Sequence, residues 1–158
     1  MIIKELTKLG IKSVKLVPEE TDVSLKERVR RANKYYTENN KKAILISVHC
    51  NAAGADDKWH TANGWSVFVA QNASSNSKRL ADSICDAVIA DKIKVRKPAP
   101  NQKYWAQSLA ICRDTNCPAV LTENMFQDNK EDVEFLLSDE GKKRIVDAHV
   151  KGILQYLN

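Results

Sequence analysis

Two side chains able to transfer protons or ligate metal end apolar runs in this chain. His49 follows Ala43-Ile44-Leu45-Ile46-Ser47-Val48, and Glu123 follows Ala119-Val120-Leu121-Thr122. A glutamate at the end of a buried strand costs desolvation energy unless it is paired, bound to metal or used in chemistry. Glu123 is therefore either a catalytic carboxylate or half of a structural ion pair. A histidine at a strand's carboxyl end stands where open α/β sheets bind ligands; His49 either meets a ligand or bonds a loop carbonyl. Ser47, His49 and Asn51 alternate and so leave the strand on one face. Cys50 leaves on the other, which argues against a thiol nucleophile with His49 as its base.

The other histidines have plainer readings. His60 lies in a polar loop, residues 51–63, and reads as a solvated side chain. His149 stands four residues from Ile145 and from Ile153, beside an apolar stripe, and reads as packing. Arg28 and Asn33 fall on or beside the inner face of one helix and are expected to tie loops to the sheet. Trp59, Trp65, Tyr104 and Trp105 flank the expected mouth of a site, as platforms for sugar or peptide or as packing. Cys50, Cys85, Cys112 and Cys117 have neither CxxC nor zinc-ribbon spacing and read as small apolar fillers.

Elements that would position these groups follow from periodicity. Ile2, Ile3, Leu6 and Leu9 predict a helix stopped at Gly10. Residues 12–17 predict a short strand. Ser24-Leu25-Lys26-Glu27 is a capping box opening a helix to about Asn39, with Leu25, Val29, Ala32 and Tyr36 as its apolar stripe. Residues 43–48 are apolar on both faces, as a central parallel strand would be. Residues 64–70 predict a strand, 74–91 an amphipathic helix, 92–107 a long loop, 109–113 and 119–123 two short strands, and 130–157 a final helical region. Strands alternating with helices define an α/β fold: one domain with a mostly parallel or mixed central sheet flanked by helices.

Composition narrows the function classes. The 158 residues carry 43% hydrophobic and 28% charged side chains, near the globular average, with no apolar run long enough to cross a membrane. The net charge of +5 favours anionic partners without selecting one. Lys41-Lys42 and Lys142-Lys143-Arg144 lack the interleaved aromatics of a single-strand nucleic-acid groove, which leaves a basic nucleic-acid binder as the weakest reading. Met1 leads straight into an amphipathic pattern, so no secretory leader is read at the start.

Three strings, VSLKERVRRAN, ILISVHCNAAG and LAICRDTNCPAVLTENMFQDNKED, resemble in order the motifs of the zinc-dependent N-acetylmuramoyl-L-alanine amidases. The likeness runs from about Ile2 to the C-terminus and includes Leu25, Arg28, Ala32, Asn33, Phe126, Asn129 and Asp132. The resemblance implies hydrolysis of the amide between N-acetylmuramic acid and L-alanine in peptidoglycan, on the bacterial cell wall. It makes zinc the cofactor, His49 a metal ligand, Glu123 the catalytic carboxylate and Asn51 an aid to substrate or histidine orientation. The family's glycine-rich loop with a second histidine, and a ligand glutamate after it, have no match in the 158 residues, so the catalytic domain reads as truncated at its N-terminus. A zinc site with three protein ligands cannot be built on one histidine, which keeps open a peptidoglycan-binding module of the same fold that does not hydrolyse. An unpaired sheet edge and a possible homodimer are further expectations of that shortening.

Overall fold

The computed structural model describes residues 1–158. Strands β1 (Leu45–Asn51), β2 (Ser66–Ala70), β3 (Trp105–Gln107) and β4 (Ala119–Phe126) form one sheet in the order β1-β4-β2-β3. β1 is parallel to β4 and β3 to β2, while β2 and β4 meet antiparallel. The sheet is thus mixed, as the alternation of elements predicts. Helices α1 (Ile2–Lys8), α2 (Leu25–Glu38), α3 (Ser75–Ala90), α4 (Ala110–Arg113), α5 (Lys130–Leu137) and α6 (Asp139–Leu157) cover it.

The two faces have separate cores. On one, Val67, Val69 and Val120 of the sheet meet Leu80, Ile84 and Val88 of α3 and Ile145 and Ala148 of α6. Leu6 of α1 joins the same side against Val146, Val150 and Ile153 of α6, with Ile44 and Ile46 packed against them. On the other, Phe68, Ala70 and Leu121 meet Ile111 and Cys112 of α4, with Val29 of α2 and Leu45 packed on them. β2 and most of β4 are buried throughout, as strands covered on both faces must be. Gly152 marks a close contact of α6 with α3, because a Cβ there would lie 2.5 Å from the Cα of Ile84.

Several local expectations are met and several are corrected. Gly10 ends the first helix region with φ +75, a left-handed turn that glycine adopts freely. Ser24 caps α2 by accepting from the Glu27 N–H at 3.3 Å, but Glu27 does not reach back. Its carboxylate instead pairs with Arg30 at 2.6 Å and Arg31 at 2.9 Å. Ala32 is buried on that helix, whereas Leu25 at its first turn is 54% exposed. Residues 109–113 form α4 and its cap rather than a strand, and β3 emerges inside the expected long loop. Both are three- or four-residue elements, too short for periodicity to choose between helix and strand. The final helical region breaks at Ser138, whose Oγ caps α6 by accepting from Gly141 N–H at 2.9 Å.

The largest correction concerns β1. Helices pack on both faces at its start, on Leu45 from one side and Ile44 and Ile46 from the other, yet it is the edge strand of the sheet. Residues 12–17, expected as a strand, have no ladder partner and form none. They line, together with residues 44–49, a groove of about 1080 Å³ with Tyr35 and Tyr36 of α2. Val48 at that edge is 50% exposed. The unpaired edge and apolar surface expected from the sequence are therefore present.

Within the core, His149 is fully buried. Its Nδ1 lies 2.8 Å from the carbonyl of Ile145, so that nitrogen carries the proton and donates, and Nε2 accepts from the Thr122 hydroxyl at 3.0 Å. The packing role read from its spacing is correct. Burial lowers its pKa, outweighing the opposing Ile145 bond. The unfolded chain therefore takes up this proton as pH falls through about 6.5 while the folded chain resists it, and stability is lost on the acid side. Between pH 7 and 5.5 the wild type should lose more unfolding free energy than His149→Gln, with a slope difference of up to about 1.4 kcal/mol per pH unit. Urea titrations at the two pH values measure it; parallel slopes would show that His149 charges freely in the fold.

Candidate active site

The carboxyl ends of β1 and β4 are held together by one buried amide. Asn124 Nδ2 donates to the carbonyl of His49 at 2.9 Å, and its Oδ1 accepts from Trp65 Nε1 at 2.9 Å. The orientation of that amide is dictated by its partners, since an indole N–H only donates and a carbonyl only accepts. Asp132, buried at the start of α5, adds a second clamp: Oδ2 accepts from Gly64 N–H at 2.8 Å and from Phe126 N–H at 2.9 Å. Asn129 caps α5 by accepting from Asp132 N–H at 3.1 Å and donates to the carbonyl of His60 at 3.0 Å. The polar residues after Glu123 are thus the fasteners of the loops around it.

This frame sets His49 directly opposite Glu123 in the parallel ladder. Opposed residues leave a sheet on the same face. The register then shifts between His49 and Asn51, so that Asn51 pairs with Phe126. Met125, next to that shift, has φ +68, a rare conformation for a bulky side chain. Asn51 and Glu123 line one cavity of about 290 Å³, with Phe68, Arg96, Trp105, Gln107, Leu109 and Leu121. His49 lines the neighbouring groove along the β1 edge. The structure therefore brings the three sequence-derived site residues to one end of the sheet, with Asn51 turned to Glu123 rather than to the histidine.

The electrostatics of the two central groups differ. Glu123 is half-buried, its Oε2 has no hydrogen-bond partner, and burial pushes its pKa up. The structural ion pair that would have explained it is absent: no basic group lies within bridging distance. His49 bonds Ser47 Oγ through Nε2 at 2.9 Å. Partial burial of its ring, and then the positive charge of Arg28, lower its pKa and favour the neutral imidazole. Ser47, on the same face two residues earlier, is the histidine's bonded neighbour, the place that the resemblance offers to Asn51.

The surrounding candidates resolve clearly. Arg28 donates to the carbonyl of Val23 at 2.7 Å and pairs with Asp22 at 2.7 Å. Asn33 donates to the carbonyl of Asp114 at 3.0 Å and accepts from Asn116 N–H at 2.7 Å, pinning the turn that leads into β4. Both are loop ties, but they fasten loops to α2 rather than to the sheet. His60 is a correction: it is half-buried, its Nε2 lies 2.7 Å from Asp56, and its N–H donates to the carbonyl of Asp128 at 2.7 Å. Gly54 accommodates that ring, since a Cβ there would meet His60 Nε2 at 2.4 Å. Burial alone would raise Asp128, but N–H bonds from Gly54 and Ala53 outweigh it and hold its pKa down. Trp65 is fully buried, Trp59 is 57% exposed, and Trp105 walls the cavity, stacked on Phe68 with ring centroids 6.3 Å apart.

All four cysteines are free, and three are buried fillers; burial pushes Cys112 up to about 12. Cys50 is exposed, contrary to the filler reading, because its side of β1 faces outward at the edge. Burial and then the charge of Glu123 raise its pKa, so it has no thiolate character beside His49. Lys142, Lys143 and Arg144 each face a carboxylate, which disperses the basic cluster. No helix is long and apolar enough to cross a membrane. Arg96, Phe68, Gln107 and Leu109 also line the Glu123 cavity and were not singled out in the sequence; Arg96, Gln107 and Leu109 lie in or beside the expected long loop, whereas Phe68, inside β2, carried no signal.

A histidine and an underpaired glutamate thus stand at the carboxyl ends of adjacent parallel strands of an α/β fold. The sequence profile of the N-acetylmuramoyl-L-alanine amidases matches residues 1–155, and the chain belongs to that family. It is 32% identical over 148 residues to an endolysin of Bacillus phage SPP1, an alignment covering 92% of this chain and 50% of the endolysin. The N-acetylmuramoyl-L-alanine amidase from Clostridium difficile 630 superposes with a TM-score of 0.79 at 25% identity, over 99% of this chain and 80% of that one. Ami1 from Mycobacterium smegmatis, at 21% identity and a TM-score of 0.83 over 99% and 71%, shares the fold. The chain spans about half the length of the phage endolysin.

Asn124→Ala removes both partners of the buried Trp65 N–H and the His49 carbonyl. Each group left unpaired costs about 1–3 kcal/mol, so a loss of roughly 2–4 kcal/mol is expected in denaturant unfolding. A loss below about 1 kcal/mol would show that the clamp is not what joins β1 to β4.

Proposed function

We propose that this chain carries the catalytic carboxylate of a peptidoglycan amidase that hydrolyses the amide between N-acetylmuramic acid and L-alanine. The observation that carries the reading is Glu123: half-buried, raised in pKa, with an oxygen that no protein group satisfies, and in register with His49. A carboxylate kept in that state is suited to general acid–base work. Glu123 accepts a proton from the attacking water as its oxygen bonds to the scissile carbonyl carbon. It then delivers that proton to the nitrogen of L-alanine as the C–N bond breaks, so the carboxylate is regenerated. Asn51, on the wall shared with Glu123, holds the substrate, and the bacterial cell wall is where the chain acts.

Zinc enters as the family's cofactor, with His49 as the donor offered by this chain. No three His, Cys, Asp or Glu side chains converge into a ligand set. The residues present therefore do not fit a catalytic zinc, which takes three protein ligands and leaves one position open. The chemistry assigned to Glu123 and Asn51 is proton transfer and binding alone. The same shortage supports a second reading, a module that grips peptidoglycan without cleaving it.

Purified protein is expected to hold far less than one zinc per chain by metal analysis, and to release amino groups from cell wall slowly. Glu123→Gln should reduce whatever release is measured by roughly 100-fold or more, while sedimentation with cell wall persists. Fast, chelator-sensitive release by the 158 residues would overturn the ligand count, and release unaffected by Glu123→Gln would move the proton transfer to another group. Sedimentation with no release by the wild type at any zinc concentration would establish the binding module.

A further inference from the structure

Seven arginines are present, and six of them are satisfied within the chain. Arg28, Arg30, Arg31, Arg113 and Arg144 pair with carboxylates, and Arg79 donates to the carbonyl of Tyr156 at 2.7 Å. Arg96 has neither a carboxylate partner nor a side-chain hydrogen bond, although it is half-buried and lines the cavity that holds Glu123. Its backbone is fixed on both sides, the N–H donating to the Trp65 carbonyl at 2.7 Å and the carbonyl accepting from Trp105 Nε1 at 3.3 Å. The guanidinium lies 4.9 Å from the Phe126 ring centroid and 6.0 Å from that of Trp105. Aromatic faces hold a guanidinium in place while leaving its in-plane N–H donors free.

Arg96 and Glu123 are the only charged residues of that cavity, opposite in sign and not bridged to each other. A ligand that sets a neutral amide beside Glu123 is thus offered a planar, cationic fork elsewhere on the same wall, and a carboxylate matches such a fork bidentately. In peptidoglycan the residue after L-alanine is D-glutamate joined through its side-chain carboxyl, so its α-carboxylate is free in some walls and converted to a carboxamide in others. We infer that Arg96 is a substrate-binding residue that takes the α-carboxylate of this second peptide residue and makes the site selective for the non-amidated stem. The inference rests on the amidase reading, because only a bond placed at Glu123 puts that residue within reach of Arg96.

The test is equilibrium binding by calorimetry of N-acetylmuramoyl-L-alanyl-D-glutamate and of its D-isoglutamine counterpart to the 158-residue protein, to Arg96→Gln and to Arg96→Lys. Thermal unfolding of each variant reports that it folds. The wild type is expected to bind the free acid about tenfold more tightly than the carboxamide, the scale of one charge-assisted hydrogen bond. Arg96→Gln should erase that ratio and Arg96→Lys keep part of it, since the charge remains and the fork does not. Equal binding of both ligands by the wild type, or a ratio that survives in Arg96→Gln, overturns the assignment and leaves the amidase reading standing. Binding of neither glycopeptide overturns both.

Discussion

The side-chain amide of Asn124 is the interaction on which the site depends. It lies where three segments meet: β4, which carries it, β1, whose His49 carbonyl it holds, and the start of β2, whose Trp65 it receives. It also reaches Thr122 Oγ1 at 3.3 Å, and Thr122 bonds His149 of α6. One polar chain thus runs from the indole through the sheet to the helix behind it. Buried polar groups stabilise when every member is paired and destabilise when one is not. Within this chain each donor meets an acceptor, so the relative placement of β1 and β4, and with it that of His49 and Glu123, is determined by chemistry as well as by packing.

Glu123, whose ladder partner Ser66 likewise has an unpaired hydroxyl, stands apart from its neighbours in β4. Its immediate neighbours in β4, Thr122 and Asn124, are buried and satisfied, while its own Oε2 is not. That burial cost has no structural return among the protein's own groups, the observation on which the proposed role of Glu123 rests. Arg96 shows the same logic with the opposite charge, held by rings and backbone rather than by a carboxylate. The two charges stand apart on one wall because an ion pair between them would have quenched both. The fasteners around them, Asp132 and Asn129, spend their own polar atoms on loop backbone, which is why they are clustered directly after β4.

The edge of β1 is organised differently from the rest of the sheet. Only its first residues, Leu45 and Ile46, are packed on by helices, Val48 to Cys50 are exposed, and the strand borders a groove lined by residues 12–17 and α2. His49 opens toward that groove and Asn51 toward the cavity of Glu123. His49 therefore sits on the boundary between the Glu123 cavity and an open edge.

How much was legible beforehand depends on the range of the forces involved. Ser24 caps its helix through a contact three residues away, and the amphipathic run of α3 needs only its own spacing, so these elements could be read directly, whereas the break between α5 and α6 could not. His49 and Glu123 stood out for the same local reason, a polar group ending an apolar run, and His149 betrayed its packing role through spacing on α6. The edge position of β1 could not be read, because helices pack on both faces at its start, as on the central strands, and the apolar pattern there is the same. Residues 12–17 lacked a strand for want of a ladder partner, a condition no local pattern encodes. Arg96 joined the site only when the long loop folded back on Trp65 and brought its side chain against Phe126, thirty positions along the chain. Local chemistry was thus determined by the sequence itself, whereas sheet order, the unpaired edge and the company kept by Glu123 were decided by tertiary contacts, whose energy belongs to pairs of segments rather than to either one.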